Sequence, residues 1–277
     1  MQLPDEYNGR RTLFAALTGS HNYNLNTPES DMDYLMFVSP SLVDMLKDRV
    51  MSKQNLGQDR DLTVYDIRRV PELLWKSNPT FIDILYSKEI QRAEEICRNQ
   101  EYSETVGECL DGLFSMRTEL ARMNLPYFWS AVMGIFQDKN KHYRKGTVNT
   151  AGLVERFGYD TKMVMHAMRV LMIAERFAES GFQDYGGAIW FDGDDREYLL
   201  GIRDGRYSLE EAKTCMAEKL EYVQRYKESY AGIKPDEETW RRSEALVQKL
   251  VSAMVLDEYE RIKECDQPDR GMPDVPS

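Results

Sequence analysis

Asp31 and Asp33 stand at the entry to Tyr34-Leu35-Met36-Phe37-Val38, an apolar run that reads as a buried strand ended by Ser39-Pro40. At a strand's start, positions i and i+2 point to one face with their Cα atoms about 6.5–7 Å apart. Two carboxylates held that close repel, and at least one pKa rises unless a cation sits between them. A hard divalent ion such as Mg²⁺ accepts such oxygens and keeps positions free for water and substrate phosphates. A solvated acidic turn gives the same Asp-x-Asp pattern, so the pair does not decide the matter alone.

The upstream dipeptide Gly19-Ser20 narrows the choice. It follows Thr12-Leu13-Phe14-Ala15-Ala16-Leu17, a short buried strand. Glycine lets the backbone approach a ligand closely, serine adds a hydroxyl donor, and N–H groups in such a turn cradle phosphate. A phosphate-binding turn beside a two-carboxylate metal site suits nucleotidyl transfer. A third acid would complete a two-metal site, and both Asp61 and Asp66 lie on the alternating segment Asp61-Leu62-Thr63-Val64-Tyr65-Asp66. Strand alternation puts Asp61, Thr63 and Tyr65 on a polar face and Asp66 with Leu62 and Val64 in an apolar layer. An acid in that layer carries a burial penalty, so Asp61 is the expected third ligand.

Gly19-Ser20, a ten-residue spacer, Asp31-Met32-Asp33 and a later strand acid together resemble the DNA polymerase beta-like nucleotidyltransferase superfamily. Asn24 stands where many members carry glycine, and asparagine also tolerates the left-handed conformation. Lys76-Ser77-Asn78-Pro79-Thr80-x-x-Asp83-Ile84-Leu85 narrows the resemblance. So do Tyr159-Asp160-Thr161-Lys162 with His166 and Arg169, and Ile202-Arg203-x-Gly205-x-Tyr207-Ser208. Over about residues 12–215 the chain is similar to the RNA-ligase-associated nucleotidyltransferase family. The resemblance implies a mixed sheet with flanking helices and Asp31, Asp33 and Asp61 as ligands of Mg²⁺ or Mn²⁺. It further implies Gly19 and Ser20 on the phosphates of an NTP such as ATP, and Asp61 as proton acceptor from the attacking hydroxyl. The association with RNA ligases suggests an RNA terminus as acceptor. A protein side chain or a small hydroxylated molecule is the alternative, as is a nucleotide-sensing module that does not turn over. A helical scaffold with merely superficial acids is a third reading.

Other residues carry two readings each. In a helix opening at Asp160, Lys162, His166 and Arg169 fall at i, i+4 and i+7, opposite Met163, Val164, Ala167, Met168 and Leu171. They form either a solvated basic face or cations that hold a triphosphate or acceptor phosphate. His21 either touches phosphate or base or closes a local turn. Lys141-His142-Tyr143-Arg144-Lys145 is the densest basic run, a surface feature or a guide for an acidic substrate. Pro126-Tyr127-Phe128-Trp129 reads as core rather than a base-stacking shelf.

These groups are positioned by an α+β chain that changes character near residue 90. A small mixed-sheet nucleotidyltransferase domain is expected over residues 1–90, a larger mainly helical domain contributing to the cleft over 91–265, and a flexible tail over 266–277. Helices are expected at about 41–49, 68–76, 92–99, 103–122, 126–140, 160–180, 194–203, 208–230 and 236–263. The last helix but one opens with the capping box Ser208-Leu209-Glu210-Glu211. Mobile connections are expected at 146–158 and 181–193. With 42% hydrophobic and 30% charged residues, extensive disorder is not expected. A net charge of −11 disfavours a protein that coats nucleic acid through a broad positive field, though not a local basic groove. No apolar run approaches the length of a membrane-spanning helix. The first twenty residues lack the plan of a secretory signal. Cys97, Cys109, Cys215 and Cys265 form no C-x-x-C pair and, with three histidines, no zinc pattern. Reduced thiols in a cytoplasmic protein are the expectation.

Overall fold

A computed structural model describes residues 4–51, 54–56, 62–93 and 96–265, with only the backbone path taken for 54–56. Its strands are β1 (Glu6–Tyr7), β2 (Arg10–Thr18), β3 (Asp33–Val38), β4 (Gln54–Leu56), β5 (Leu62–Asp66) and β6 (Ile90–Arg92). They form one mixed sheet in the order β1-β2-β3-β5-β4, with β6 also on β2. The pairs β2–β3 and β4–β5 run antiparallel, and β3–β5 runs parallel. One extra residue of β2 between Thr12 and Phe14 makes a bulge. Leu13 and Phe14 consequently both join one apolar layer, with Leu35, Phe37 and Tyr65. Ala15, Leu17, Tyr34, Met36, Val38 and Val64 form the layer on the other face.

Helices follow, α1 (Leu42–Leu46), α2 (Val70–Trp75), α3 (Pro79–Leu85), α4 (Gln100–Ser115), α5 (Arg117–Arg122), α6 (Leu125–His142) and α7 (Ala151–Phe157). Then come α8 (Thr161–Glu179), α9 (Tyr185–Ile189), α10 (Gly193–Arg203), α11 (Leu209–Gln224), α12 (Lys227–Ala231) and α13 (Glu237–Cys265). The architecture is α+β, a small mixed sheet followed by a mostly helical region. The caps explain where several helices begin. The Asp160 side chain accepts the Met163 N–H at 3.0 Å, and Ser208 with Glu211 forms a reciprocal capping box. Ser41 and Asp44 do the same for α1.

The structure differs from the expected elements at several places. Residues 79–85, outside the expected helices, form α3, with Asn78 capping through the Thr80 N–H and Pro79 in its first turn. The segment expected to be helical at 92–99 instead begins as β6, and Asn99 caps α4. The 103–122 helix breaks at Met116, and the 208–230 helix breaks between Gln224 and Lys227. The connections at 146–158 and 181–193 contain α7 and α9.

The sheet's first apolar layer is completed by Val106, Leu110 and Leu113 of α4 and by Val247, Leu250, Val251 and Met254 of α13. One core therefore draws on residues from both sides of position 90. Each large apolar side chain buried there contributes about 1.5–3 kcal/mol, against about 0–1 for an exposed ion pair such as Lys76–Glu72. Arg11 fastens the return of the chain, donating to Asp257 at 2.6 Å and to the Met254 carbonyl at 2.9 Å. The second large core packs α6 and α8 against α9, α10 and α11, and Phe128 and Trp129 lie buried in it. No helix among the described residues is long and apolar enough to cross a membrane. All four cysteines are free thiols. The expected tail, 266–277, lies outside the described residues.

Candidate active site

The strand register brings the turn and the acids together. Asp33 pairs directly with Thr18 across β2 and β3, so Gly19 leaves β2 beside the Asp33 side chain. Gly19 has φ +69°, and a Cβ built on it would lie 2.2 Å from Asp33 Oδ2. Glycine is required twice over there, by the left-handed backbone and by the carboxylate that fills the space. Residues 19–23 then turn as a short 3-10 helix that ends at Asn24, itself left-handed at φ 59°. Asparagine therefore serves this position, as its tolerance of that conformation implies.

The spacer between turn and acids is clasped by the helical region. Phe191 N–H donates to the Tyr23 carbonyl at 3.2 Å, and the Asn24 side chain donates to the Phe191 carbonyl at 2.8 Å. Arg196 donates to the carbonyls of Asn24 and Asn26, and Arg203 to the Leu25 carbonyl and the Ser30 hydroxyl. The His21 ring lies 3.3 Å from the Ser30 carbonyl, a turn contact, and His21 does not line the cavity described next.

A cavity of about 460 Å³ opens between the sheet edge and α8. One wall carries Gly19, Ser20, Glu29, Asp31, Asp33 and Thr63. The other carries Lys162, Met165, His166 and Arg169 of α8 together with Arg203 of α10. The stripe at i, i+4 and i+7 thus lines the same cavity as the acids, with Lys162 still exposed, while Val164, Ala167, Met168 and Leu171 are buried behind it. Burial first, and then the positive charges of Arg169, Lys139, Lys162 and Arg203, hold the His166 pKa well below its ordinary value. With its pKa held down in this way, His166 is neutral at pH 7. Asp83 forms part of the floor, and its carboxyl is pushed up to about 6 by burial against hydrogen bonds from Tyr23 and Tyr185 and the charge of Arg169.

Asp66 is accounted for by structure alone. It is fully buried, and it accepts from the Arg68 backbone N–H at 3.0 Å, the Arg68 guanidinium at 2.6 Å and the Met51 N–H at 3.3 Å. Arg68 offsets the burial penalty. The face of Thr63 is polar only at its start, because Tyr65 is buried with its ring 5.9 Å from that of Phe37 and 5.4 Å from that of Phe81. Asp61 lies outside the described residues. Among the described residues no group of three or more acidic, histidine or cysteine side chains is close enough to hold a metal. Asp31 and Asp33 supply two hard oxygen donors on a wall whose other polar groups are also oxygens, a donor set that fits Mg²⁺ or Mn²⁺.

A family model described as the RNA repair pathway DNA polymerase beta family matches residues 3–182, more than half of the 277-residue chain. The chain belongs to that family. The matched stretch carries Gly19, Ser20, Asp31, Asp33, Asp83 and the α8 stripe, and it ends before Arg203. No curated protein matches the chain.

Several cavity residues had no role assigned from the sequence. Asp83 and Arg203 sat within family-like motifs, so a signal existed without a chemistry attached. Thr80 belongs to the same motif as Asp83, and Thr63 to the polar strand face; Tyr23, Glu29 and Met165 gave no signal, because only the fold brings them to the same space. The basic run at 141–145 ends α6, with Tyr143 buried, and none of its residues lines the cavity.

Proposed function

We propose that this chain is a divalent-metal-dependent nucleotidyltransferase that moves a nucleoside monophosphate from an NTP to a hydroxyl or phosphate acceptor, an RNA terminus. The observation that carries the reading is the contact of Gly19 with the Asp33 carboxylate in a cavity whose far wall is cationic. A glycine turn, two acids and cationic side chains around one space support reading them as phosphate, metal and anion sites. The RNA repair description of the family supports RNA as acceptor.

In this reading the Gly19–Ser20 turn binds phosphate oxygens through backbone N–H groups and the Ser20 hydroxyl. Lys162, Arg169 and Arg203 balance the remaining triphosphate charge, and neutral His166 offers a hydrogen-bond donor. Asp31 and Asp33, with Asp61, would hold Mg²⁺ or Mn²⁺, which when bound neutralises phosphate charge and lowers the pKa of the attacking hydroxyl. Asp61, the proton acceptor that the sequence resemblance implies, would take the acceptor's proton. The acceptor oxygen bonds to the α-phosphorus, the bond from that phosphorus to the bridging oxygen breaks, and pyrophosphate leaves. Positioning and charge stabilisation supply the rate enhancement.

The test is incubation of the full chain with each α-labelled NTP, Mg²⁺ or Mn²⁺, and a pool of short RNAs bearing different ends. Labelled RNA is the expected product. Label on a protein or small molecule from cell extract would move the acceptor to the alternative class. No label on any acceptor, with nucleotide still bound in the presence of a chelator, would make the chain a sensor.

A further inference from the structure

Among the described residues, Arg169 is placed by a ring contact. Its guanidinium carbon lies 3.8 Å from the centroid of the Tyr23 ring, and its buried Nε has no hydrogen-bond partner among the described residues. The ring is in turn held by Asp83. The Tyr23 hydroxyl donates to Asp83 Oδ2, the Tyr185 hydroxyl donates to Asp83 Oδ1 at 2.8 Å, and the Asn22 side chain donates to the Asp83 carbonyl at 3.3 Å. Tyr23 closes the same short helix that Gly19 and Ser20 open. The phosphate turn and the cation opposite it therefore share one buried anchor.

We propose that Asp83 is a positioning residue, which by locking the Tyr23 ring holds the Arg169 guanidinium aimed at a phosphate group in the cavity. The proposal rests on the reading of this cavity as a triphosphate site. A rigidly placed cation binds its anion without first ordering itself. Simple electrostatics makes the opposite forecast. A buried carboxylate beside an anion site repels the anion, so neutralising it would tighten binding.

Calorimetric titration of the full chain with inorganic tripolyphosphate, without divalent ions, separates the two. Arg169→Ala is expected to weaken binding about tenfold and Asp83→Asn about threefold, with the double variant no weaker than Arg169→Ala. Unchanged or tighter binding in Asp83→Asn, or losses that multiply, would overturn the proposal. Tyr23→Leu removes the ring itself and is expected to match Arg169→Ala, which keeps the test decisive if Asp83→Asn fails to fold. Hydrogen exchange at Arg169 Nε, followed by nitrogen-15 NMR, distinguishes this inference from the reading beneath it. Faster exchange in Asp83→Asn with no tripolyphosphate binding in the wild type leaves the positioning intact and removes the triphosphate site. Unchanged exchange removes the positioning.

Discussion

The two ends of the β3–β5 pair use the same side chain in opposite ways. At the C-terminal end Asp66 is fully buried and paired with Arg68. Asp44 with Arg10 and Asp257 with Arg11 follow the same rule at the sheet's periphery. At the N-terminal end Asp31 is exposed at the cavity wall, and no such arginine pair serves it among the described residues. The cations that face it, Lys162, Arg169 and Arg203, stand across the cavity on α8 and α10. Where an acid supports the fold, the chain supplies its counter-charge locally. Where the cations stand across a cavity instead, the acid is available to something that enters.

Exchanging the two ends gives the largest expected effects. Asp31→Ala and Asp33→Ala should each lower nucleotidyl transfer by about a thousandfold while shifting the melting temperature by less than about 2 °C. Asp66→Ala should do the reverse. Leaving Arg68 without its partner costs about 3–5 kcal/mol of stability, read by denaturant unfolding, with transfer per folded molecule unchanged. An Asp31→Ala variant that unfolds readily yet still transfers would erase the distinction between the ends.

A smaller effect concerns Asp83, whose burial is only partly compensated by Tyr23, Tyr185 and Arg169. Its carboxyl lies at about 6 in the folded chain, above the ordinary carboxylate value of 3.8. The unfolded chain therefore loses this proton first as pH rises, and the stability due to the group is full below about pH 4 and lost through pH 6. A difference of about 2 pKa units corresponds to about 3 kcal/mol at most. Unfolding free energies of wild type and Asp83→Asn, measured from pH 4 to pH 7, should converge or cross as the wild type alone loses this increment. Parallel curves would mean that Asp83 is ionised in both states throughout.

Much of this site was legible in local sequence. Gly19-Ser20, the acids entering a buried strand and the 3.6-residue stripe of α8 each obey rules that act over a few residues. So do the Asp160 cap and the Ser208 box. What escaped depends on contacts between distant segments. Nothing within ten residues of Asp83 shows that it meets Tyr23 and Tyr185, which lie 60 positions before it and 102 after. The Arg196 and Arg203 clasps on the Asn24–Ser30 loop are longer still. Helix α3 escaped because Asn78-Pro79, just past the close of α2, also caps and opens a short helix that packs against β2. The choice of Asp61 over Asp66 rested on a burial penalty that Arg68 in fact offsets, so the pairing of Asp66, not its burial, is what removes it from the site.

The central claim is that the acids, the glycine turn and the α8 cations serve one metal–nucleotide complex. Electron paramagnetic resonance of Mn²⁺ bound to the full chain, with and without NTP, tests it most directly. The account predicts one Mn²⁺ environment that tightens at least about tenfold with nucleotide and disappears in Asp33→Asn. Mn²⁺ binding indifferent to nucleotide, or unchanged by Asp33→Asn, would contradict it.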